Sequence, residues 1–453
     1  MCFKRDLYKK LKEWKSENHR KPLIIRGARQ VGKTTLIKSF GSEYKQFIYL
    51  NLEKKKDRNF FELYDEVRYS VEALILDRNL KSDFNNTLLF IDEIQELPET
   101  IHKLRYFYEE LPDLHVIAAG SLLEFAMKDI SSFPVGRVSF MYLHPLNFPE
   151  FLEACGEKQL VKELCKTPFS PPGEQILKSR FHDYVLSGGM PEVVSSYTKN
   201  KRPSALIEVY ESIWETYKAD VEKYAENRHQ QQIIKHIMEA APAHLDERIT
   251  FNKFGNSNYK SREVGEAFRT LDNAGIIRII YPTTDTEFPA KPDYKKKPRM
   301  QFLDTGLVNF SMGLHGQLIG VDDLSSAYKG ALIPHVINQE LLSLNKTSIK
   351  KNTFWVRDKK QSSAEVDLIV TYKDLLIPIE VKSGSTGKMR SLHQFMEQAP
   401  HDFAVRIYGG KLLMSQAETP SGKRYRILNL PYFLGTRIAE YIDAYFDQSI
   451  SGK

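Results

Sequence analysis

A glycine-rich stretch that ends in a lysine and a threonine is the part of this sequence best suited to chemistry. Residues 27–34 read Gly-Ala-Arg-Gln-Val-Gly-Lys-Thr, which fits the pattern G-x-x-x-x-G-K-[ST], the Walker A or phosphate loop. Residues 22–26 form an apolar run suited to a buried strand, and residues 35–40 can continue as a helix. This order directs backbone N–H groups and the positive end of a helix dipole at one anion. The pattern predicts a loop that binds the phosphates of ATP or GTP.

The positions of this phosphate loop have distinct expected roles. Lys33 is expected to reach the β- and γ-phosphates, and the Thr34 hydroxyl to complete the shell of a Mg²⁺ ion. The predicted cofactors are ATP and Mg²⁺, although the loop itself does not discriminate adenine from guanine. The predicted cofactor-binding set is Gly27, Ala28, Arg29, Gln30, Val31, Gly32, Lys33, Thr34 and Thr35.

A second segment supports the same chemistry. Residues 87–93 read Thr-Leu-Leu-Phe-Ile-Asp-Glu, an apolar strand that ends in two carboxylates, as in a Walker B strand. Phosphoryl transfer needs one group to hold Mg²⁺ and another to orient the attacking water, so we assign Asp92 to the metal and Glu93 to the water. Ser121, at the end of the next buried strand, would act as a sensor of the γ-phosphate or, equally well, would cap a helix over residues 122–127. Glu93, Lys33 and Ser121 are thus predicted catalytic residues.

Length and composition limit the class of protein. A chain of 453 residues with 42% hydrophobic and 27% charged residues is typical of a soluble protein of two to four domains. No apolar stretch reaches the 18 residues of a membrane span, and the N-terminus lacks the apolar core of a signal peptide. Three cysteines without metal-ligand spacing fit a reduced compartment. We therefore expect a cytoplasmic protein with no membrane partner, and the net charge of +7 favours a nucleic-acid partner.

The periodicity of the apolar residues divides the chain into four regions. Alternating strands and helices over residues 1–155 predict the parallel α/β sheet of a P-loop NTPase core, and residues 156–227 read as a helical lid. Predicted core strands are residues 23–26, 46–51, 87–91, 115–119 and 137–143, and predicted core helices are residues 33–40, 60–76 and 99–110. Predicted lid helices are residues 174–187 and 203–224, after a proline-rich loop at residues 167–173.

Residues 228–312 predict a winged helix. Helices are expected at residues 231–240, 250–254 and 261–275, followed by strands at 276–281 and 299–303 around a basic turn at 291–297. In a DNA-binding winged helix the third helix enters the major groove and the wing contacts phosphates. DNA is therefore the expected macromolecular partner, although a winged helix used only for packing fits the same pattern. A homo-oligomer is left open.

The last region, residues 325–453, predicts a second α/β domain with its own charged constellation. Asp367 begins a strand, and Glu380 and Lys382 share one face of the next strand of a hairpin. Two carboxylates beside a lysine can hold Mg²⁺ or Mn²⁺ and activate a water, which is the PD-(D/E)xK nuclease arrangement. Glu340, on the preceding helix, would add a third oxygen to this second metal site. A charged edge strand, or a nuclease-like fold without cleavage, fits the same residues.

These motifs together resemble the prokaryotic AAA-family ATPases of the archaeal, STAND-related type with a C-terminal PD-(D/E)xK-like domain. The resemblance implies that Arg137 acts as an arginine finger or sensor, since its planar fork can meet two phosphate oxygens; a surface salt bridge is the alternative. The motifs taken together favour an ATPase that acts on DNA over two alternatives, an ATP-switched nuclease and a nucleotide-gated scaffold or signalling switch. The segments that carry it are residues 26–35, 89–95, 119–121, 134–137, 143–146, 188–192, 302–307 and 380–382.

Overall fold

The computed structural model describes residues 3–121, 123, 134, 136–200, 203–314, 330–347, 352–358, 364–382 and 389–448. The chain folds into two units. The first comprises Met1–Pro145, Asn273–Gly275 and Asn345–Ile349, and the second comprises Leu146–Asp272, Ile276–Leu344 and Lys350–Lys453. The domain boundaries predicted at residues 156, 228 and 325 fall inside the second unit and stay predictions.

The sheet of the first unit is parallel throughout its described strands. Its order is β2-β3-β4-β1-β5, and every neighbouring pair runs in the same direction. All residues of β3 and β4 are buried, which is why these strands read as continuous apolar runs and not as alternating patterns. The predicted parallel α/β sheet is therefore confirmed. The strands are β1 Leu23–Arg26, β2 Gln46–Asn51, β3 Thr87–Asp92, β4 His115–Ala119 and β5 Ser139–Tyr142.

The helices of the first unit include one departure from the sequence prediction. A single helix over residues 60–76 was expected, but two helices occur, because the backbone at Glu66 is extended (φ −82°, ψ 132°) and interrupts the helical hydrogen bonds. The break allows Phe61 and Val67 to enter the same buried cluster while Leu63 between them stays exposed. The described helices are α1 Leu7–Lys15, α2 Lys33–Gly41, α3 Lys55–Glu62, α4 Val67–Asp77 and α5 Glu99–Glu110.

The second unit begins with a run of helices. The proline-rich loop expected at residues 167–173 is wrong in its second half, because α8 starts at Pro171, where proline has no intrahelical N–H to lose. The short helix expected at residues 250–254 is also wrong, since only a 3-10 turn at Phe254–Asn256 forms. The described helices are α6 Phe148–Ala154, α7 Lys158–Leu164, α8 Pro171–Ser187, α9 Pro191–Asn200, α10 Pro203–Tyr224, α11 Arg228–Ala240, α12 Ser261–Ala274, α13 Thr305–Ser311, α14 Leu332–Ser343, α15 Arg390–Gln398 and α16 Ile438–Tyr445.

Two sheets complete the second unit. One is an antiparallel pair, β6 Ile277–Ile280 and β7 Arg299–Phe302, called the β6–β7 pair below. The other is mixed, with the order β12-β13-β11-β10-β9-β8. The predicted hairpin that carries Asp367 and Glu380 is formed by β9 and β10, whereas no strand was expected where β12 and β13 form. The strands of this mixed sheet are β8 Thr353–Val356, β9 Glu365–Tyr372, β10 Leu375–Val381, β11 Phe403–Tyr408, β12 Leu413–Glu418 and β13 Arg424–Pro431.

Thr283, just beyond β6, connects the β6–β7 pair to the edge of the mixed sheet. The backbone N–H of Thr283 donates to the carbonyl of Phe354 at 2.8 Å, and the N–H of Val356 donates back to the carbonyl of Thr283 at 3.0 Å. Ile280 packs with Phe354 and Val356 in a small buried apolar cluster. Two side-chain hydrogen bonds add to these contacts: Thr353 Oγ1 donates to the carbonyl of Tyr281 at 2.9 Å, and Trp355 Nε1 donates to the carbonyl of Thr284 at 3.2 Å. The β6–β7 pair is thus held against edge strand β8 by backbone and side-chain hydrogen bonds and by apolar packing.

A buried histidine links α14 to β7. Nε2 of His335 accepts the backbone N–H of Phe302 at 3.2 Å, so the ring proton belongs on Nδ1, which lies 3.1 Å from the hydroxyl of Thr305. Burial lowers the pKa of His335 to about 3. The folded chain therefore keeps this ring neutral.

Candidate functional site

The phosphate loop between β1 and α2 uses backbone conformations that favour glycine. Gly27 has φ +148° and Gly32 has φ +95°, and the non-glycine residue Gln30 has φ +63°. A Cβ at Gly27 would lie 2.3 Å from the carbonyl oxygen of Leu143, so the first glycine is required by close backbone packing as well. The predicted strand–loop–helix order is present, with the loop at the carboxyl edge of the sheet.

Lys33 lies inside the curl of this loop. Its Nζ donates to the carbonyl oxygens of Gly27 and Ala28, both at 2.9 Å. Burial lowers the pKa of Lys33 to about 8, and the nearby carboxylates of Glu93 and Asp92 oppose that shift. The ammonium group of Lys33 is therefore held inside the loop by the backbone carbonyl groups of Gly27 and Ala28.

The predicted magnesium ligands lie side by side. Thr34 Oγ1 donates to Asp92 Oδ2 at 2.9 Å, and the hydroxyl of Tyr49 donates to the same oxygen at 3.2 Å. Burial raises the pKa of Asp92, and the hydrogen bond from Thr34 opposes that rise. A hydroxyl and a carboxylate beside a phosphate loop are the hard oxygen donors that Mg²⁺ prefers, so these residues fit the ion.

Glu93 is held by a residue that the sequence prediction missed. Glu93 adopts a left-handed backbone (φ +53°), and its Oε2 accepts Gln95 Nε2 at 2.6 Å. Gln95 lies against the end of β4, where a Cβ added to Gly120 would be 2.3 Å from Gln95 Oε1. Ser121 comes next; its buried Oγ has no hydrogen-bond partner among the described residues. The helix over residues 122–127 that Ser121 would cap lies outside the described residues.

Arg137 lies at the opposite edge of the sheet from the phosphate loop. Ser139, two residues later, pairs with Leu23 at the start of β1, whereas the loop follows Arg26 at its end. The guanidinium Nε is 3.3 Å from Glu109 Oε1, and the side chain is 46% exposed. The structure therefore does not bring Arg137 to the phosphate loop of its own chain.

Arg5 supports the phosphate loop from behind, a contact with no signal in the sequence. Its Nη1 donates to the carbonyl of Val31 at 3.1 Å, and its Nη2 donates to the carbonyl of His144. The residue is buried although it precedes α1. A charged donor thus connects the N-terminal segment to the loop backbone.

The C-terminal constellation assembles three of its four predicted members. Lys382 Nζ is 2.5 Å from Glu380 Oε1. Leu368 pairs with Ile379 across the β9–β10 hairpin, and Asp367 Oδ2 accepts the backbone N–H of Val381 at 2.8 Å, which places Asp367 next to Glu380. The fourth member, Glu340, lies elsewhere.

Glu340 faces a different part of the second unit. Its carboxylate accepts the backbone N–H of Phe148 at 3.1 Å and the hydroxyl of Tyr184 at 2.6 Å. Asn338, two residues earlier on α14, lines a small cavity together with Asp367. Residues two apart on a helix point about 200° apart, so Glu340 is directed away from Asp367.

Three residues that were not predicted join this group: Asp246, Glu365 and Arg299. We call the six residues together the acidic cluster; its members are Asp246, Glu365, Asp367, Glu380, Arg299 and Lys382. Arg299 Nη1 is 2.9 Å from Asp246 Oδ1, and its Nη2 forms an ion pair with Glu365 and lies 3.6 Å from Asp367 Oδ1. Alternation along β9 could have identified Glu365, which shares a face with Asp367. Among the described residues, no group of three or more His, Cys, Asp or Glu side chains is arranged to hold a metal ion.

Comparison with known proteins identifies the class of the first unit. Residues 19–152 match the family model of an AAA domain. Together with the parallel sheet and the phosphate loop, this match defines a P-loop domain of the AAA ATPase class. Residues 178–318 and 329–433 match two domains of unknown function, DUF8612 and DUF4143. A search among curated proteins found no match to this chain.

Solved structures show only distant likeness. The Walker-type ATPase PABY2304 of Pyrococcus abyssi is 17% identical, with a TM-score of 0.43 over 68% of this chain and 96% of that one. The STAND protein PH0952 of Pyrococcus horikoshii, which has a tetratricopeptide repeat sensor, is 14% identical, with a TM-score of 0.29 over 76% of this chain and 46% of that one. PCH-2 of C. elegans is 13% identical, with a TM-score of 0.28 over 45% of this chain and 67% of that one. No described helix is long and apolar enough to cross a membrane.

Proposed function

We propose that this protein binds ATP with Mg²⁺ and hydrolyses it. The observation that carries the proposal is the 2.9 Å contact between Thr34 Oγ1 and Asp92 Oδ2 beside a loop that encloses the Lys33 ammonium group. Two oxygen donors and a cation converge there at the carboxyl ends of parallel strands. An anion with a coordinated magnesium ion is the ligand that such a set complements.

Each residue of the site has a defined part in this reaction. The loop backbone and Lys33 bind the phosphates, and Thr34 and Asp92 hold the ion. When bound, Mg²⁺ neutralises charge that develops on the transferred phosphoryl group. Glu93 orients the attacking water through a carboxylate oxygen, while Gln95 holds the other end of that carboxylate at 2.6 Å. The site residues thus position the water and the phosphates and leave little covalent chemistry to the protein.

Phosphate release from Mg-ATP tests the proposal. Lys33→Ala is expected to abolish nucleotide binding in calorimetry, whereas Lys10→Ala, at an exposed lysine paired with Glu13 on α1, should bind as the native chain does. Glu93→Gln should keep ATP affinity and lose turnover, since the amide cannot accept the proton of the water. Equal affinity of the Lys33 variant and the native chain would refute nucleotide binding at this loop. Near-native turnover of the Glu93 variant would place the base elsewhere.

A contact with DNA is the second function we propose, and the basic wing favours it. Lys291, Lys295 and Lys297 are exposed between β6 and β7, and Tyr294 among them is 74% exposed. Helix α12 is less suited to phosphate, because it carries two arginines and three carboxylates. We therefore assign the contact to the wing, through phosphate charge.

Binding to a labelled duplex at two salt concentrations tests the wing. Replacing Lys295 and Lys297 together by glutamate should weaken binding and flatten its salt dependence, while Arg262→Gln on α12 should change it little. Native binding by the double variant would refute the assignment. DNA cleavage, the rival function, is not the one we propose, because Arg299 lies among the carboxylates that a catalytic metal would need.

A further inference from the structure

The acidic cluster of the second unit already contains a cation supplied by the chain. We propose that Arg299 closes a divalent-cation site formed by Glu365, Asp367 and Glu380, and that withdrawal of Arg299 opens this site to metal. The inference concerns the second unit alone and does not depend on the ATPase proposal.

The guanidinium group of Arg299 is placed as a metal substitute. It reaches Asp246 on one side at 2.9 Å and the β9 carboxylates, Glu365 and Asp367, on the other. Its guanidinium carbon lies 4.8 Å from the centre of the Phe354 ring, a cation–π contact that adds to the ion pairs. One side chain therefore neutralises carboxylates from two segments, as a bridging ion would.

A buried oxygen of Glu380 gives independent support for a bound cation. The residue is 4% exposed; Lys382 contacts its Oε1, while Oε2 has no hydrogen-bond partner among the described residues. A buried carboxylate oxygen without a donor is costly unless a cation or a water satisfies it. The cluster contains four carboxylates and only two cationic groups in direct contact with them, so its formal charge of −2 matches a divalent ion.

The space beside the cluster is large enough for a small ligand. A cavity of about 30 Å³ lies between Asp246, Arg299, His335 and Asp367. A polar cavity of this size can hold a water or an ion.

The same architecture provides a route to the open state. Arg299 is on β7 and Asp246 forms its ion pair from the segment before β6, so both leave the cluster if the β6–β7 pair moves off β8. Hydrogen bonds of Thr283, Thr353 and Trp355 and the apolar contact of Ile280 hold that edge, so the movement requires all of them to break. Separation of the pair from β8 would uncover Glu365, Asp367 and Glu380 together.

Manganese binding to the full chain tests whether Arg299 closes the metal site. Free Mn²⁺ is measured by electron paramagnetic resonance without nucleotide, so that any weak binding at Thr34 and Asp92 is the same in every variant. Arg299→Gln should gain one site on the order of a hundredfold tighter than any in the native chain, as expected when a like charge within about 4 Å is removed. Arg299→Gln combined with Glu380→Gln should lose that site. Arg426→Gln, which breaks an arginine pair with Asp402 elsewhere, should behave as the native chain.

Two results would overturn the inference. One is a native chain that already binds Mn²⁺ at a site abolished by Glu380→Gln, and the other is a folded Arg299→Gln variant that gains no site. Circular dichroism establishes folding. If Arg299→Gln does not fold, Asp246→Asn decides the question, because it weakens the hold on Arg299 and leaves the three metal-binding carboxylates intact. That variant should gain a weaker site, and its failure to do so would count against the closure.

Discussion

Gly120→Ala should slow ATP hydrolysis without touching any residue that binds nucleotide. A Cβ at Gly120 would lie 2.3 Å from Gln95 Oε1, the far end of a flexible side chain, so the fold should accept the substitution. Gln95 would move by about 1 Å to reach ordinary contact distance. Its 2.6 Å hydrogen bond to Glu93 would then stretch beyond the usual limit. We expect Glu93 to lose its fixed orientation.

The size of the effect follows from the kind of bond that is lost. A hydrogen bond to a charged group contributes about 1.5–3 kcal/mol, and each 1.4 kcal/mol corresponds to about a tenfold change in rate. If the bond matters mainly when Glu93 orients the water, kcat should fall about 10- to 150-fold. The affinity for ATP should stay native, because the phosphate loop is unchanged.

Steady-state phosphate release, together with calorimetric ATP affinity, measures both quantities. Gln95→Ala should show the same loss as Gly120→Ala, and the double variant should be no slower than either. Gly265→Ala, on α12 of the second unit, is the glycine-to-alanine control in assays without DNA. A native kcat for Gly120→Ala, or a faster Gln95→Ala, would mean that the contact does not position Glu93 productively.

Three further predictions concern the loop and the buried histidine. Gly27→Ala should weaken nucleotide binding at least about tenfold, since the Cβ would meet the Leu143 carbonyl at 2.3 Å in a strained backbone; titration with a fluorescent ATP analogue measures it. Arg5→Met should also weaken binding, because the Val31 carbonyl loses a charged donor, and unchanged affinity would show that the loop holds itself. The pKa of His335 is lowered from 6.5 to about 3, so the folded state binds fewer protons than the unfolded state below pH 6.5. Stability in urea should then fall from pH 6.5 to 5 by up to about 1.4 kcal/mol per pH unit, and His335→Gln should show a shallower slope.

The elements predicted best from sequence are those whose pattern is local. The ends of β1, β2, β4 and α5 are as expected, because each is an apolar run or a periodic helix bounded by turn residues. The edge strand β12 was missed since its residues are mostly exposed or half-buried, so the sequence lacks an apolar face to recognise. The prediction of one helix over residues 60–76 was wrong because the tertiary packing of Phe61 and Val67 overrides the continuous helical periodicity of the apolar residues.

The functional residues also divide into those that could be predicted from the sequence and those that could not. Lys33 and Thr34 are contiguous and Asp92 ends an apolar strand, so residue type and order were enough to predict that they would meet. Gln95 and Arg299 reach their carboxylates through contacts that depend on where loops and sheets pack. No spacing in the sequence encodes such contacts, and only the folded chain reveals them.

The position of Thr283 on β8 has a consequence for how the protein behaves when the second unit opens. An edge strand with free N–H and C=O groups recruits strands from other molecules, and proteins usually cover such edges. Here Thr283 covers the groups of Phe354 and Val356. Movement that exposes the carboxylates would therefore also leave the backbone groups of Phe354 and Val356 unpaired. The opened form should then self-associate unless another strand takes the place of Thr283.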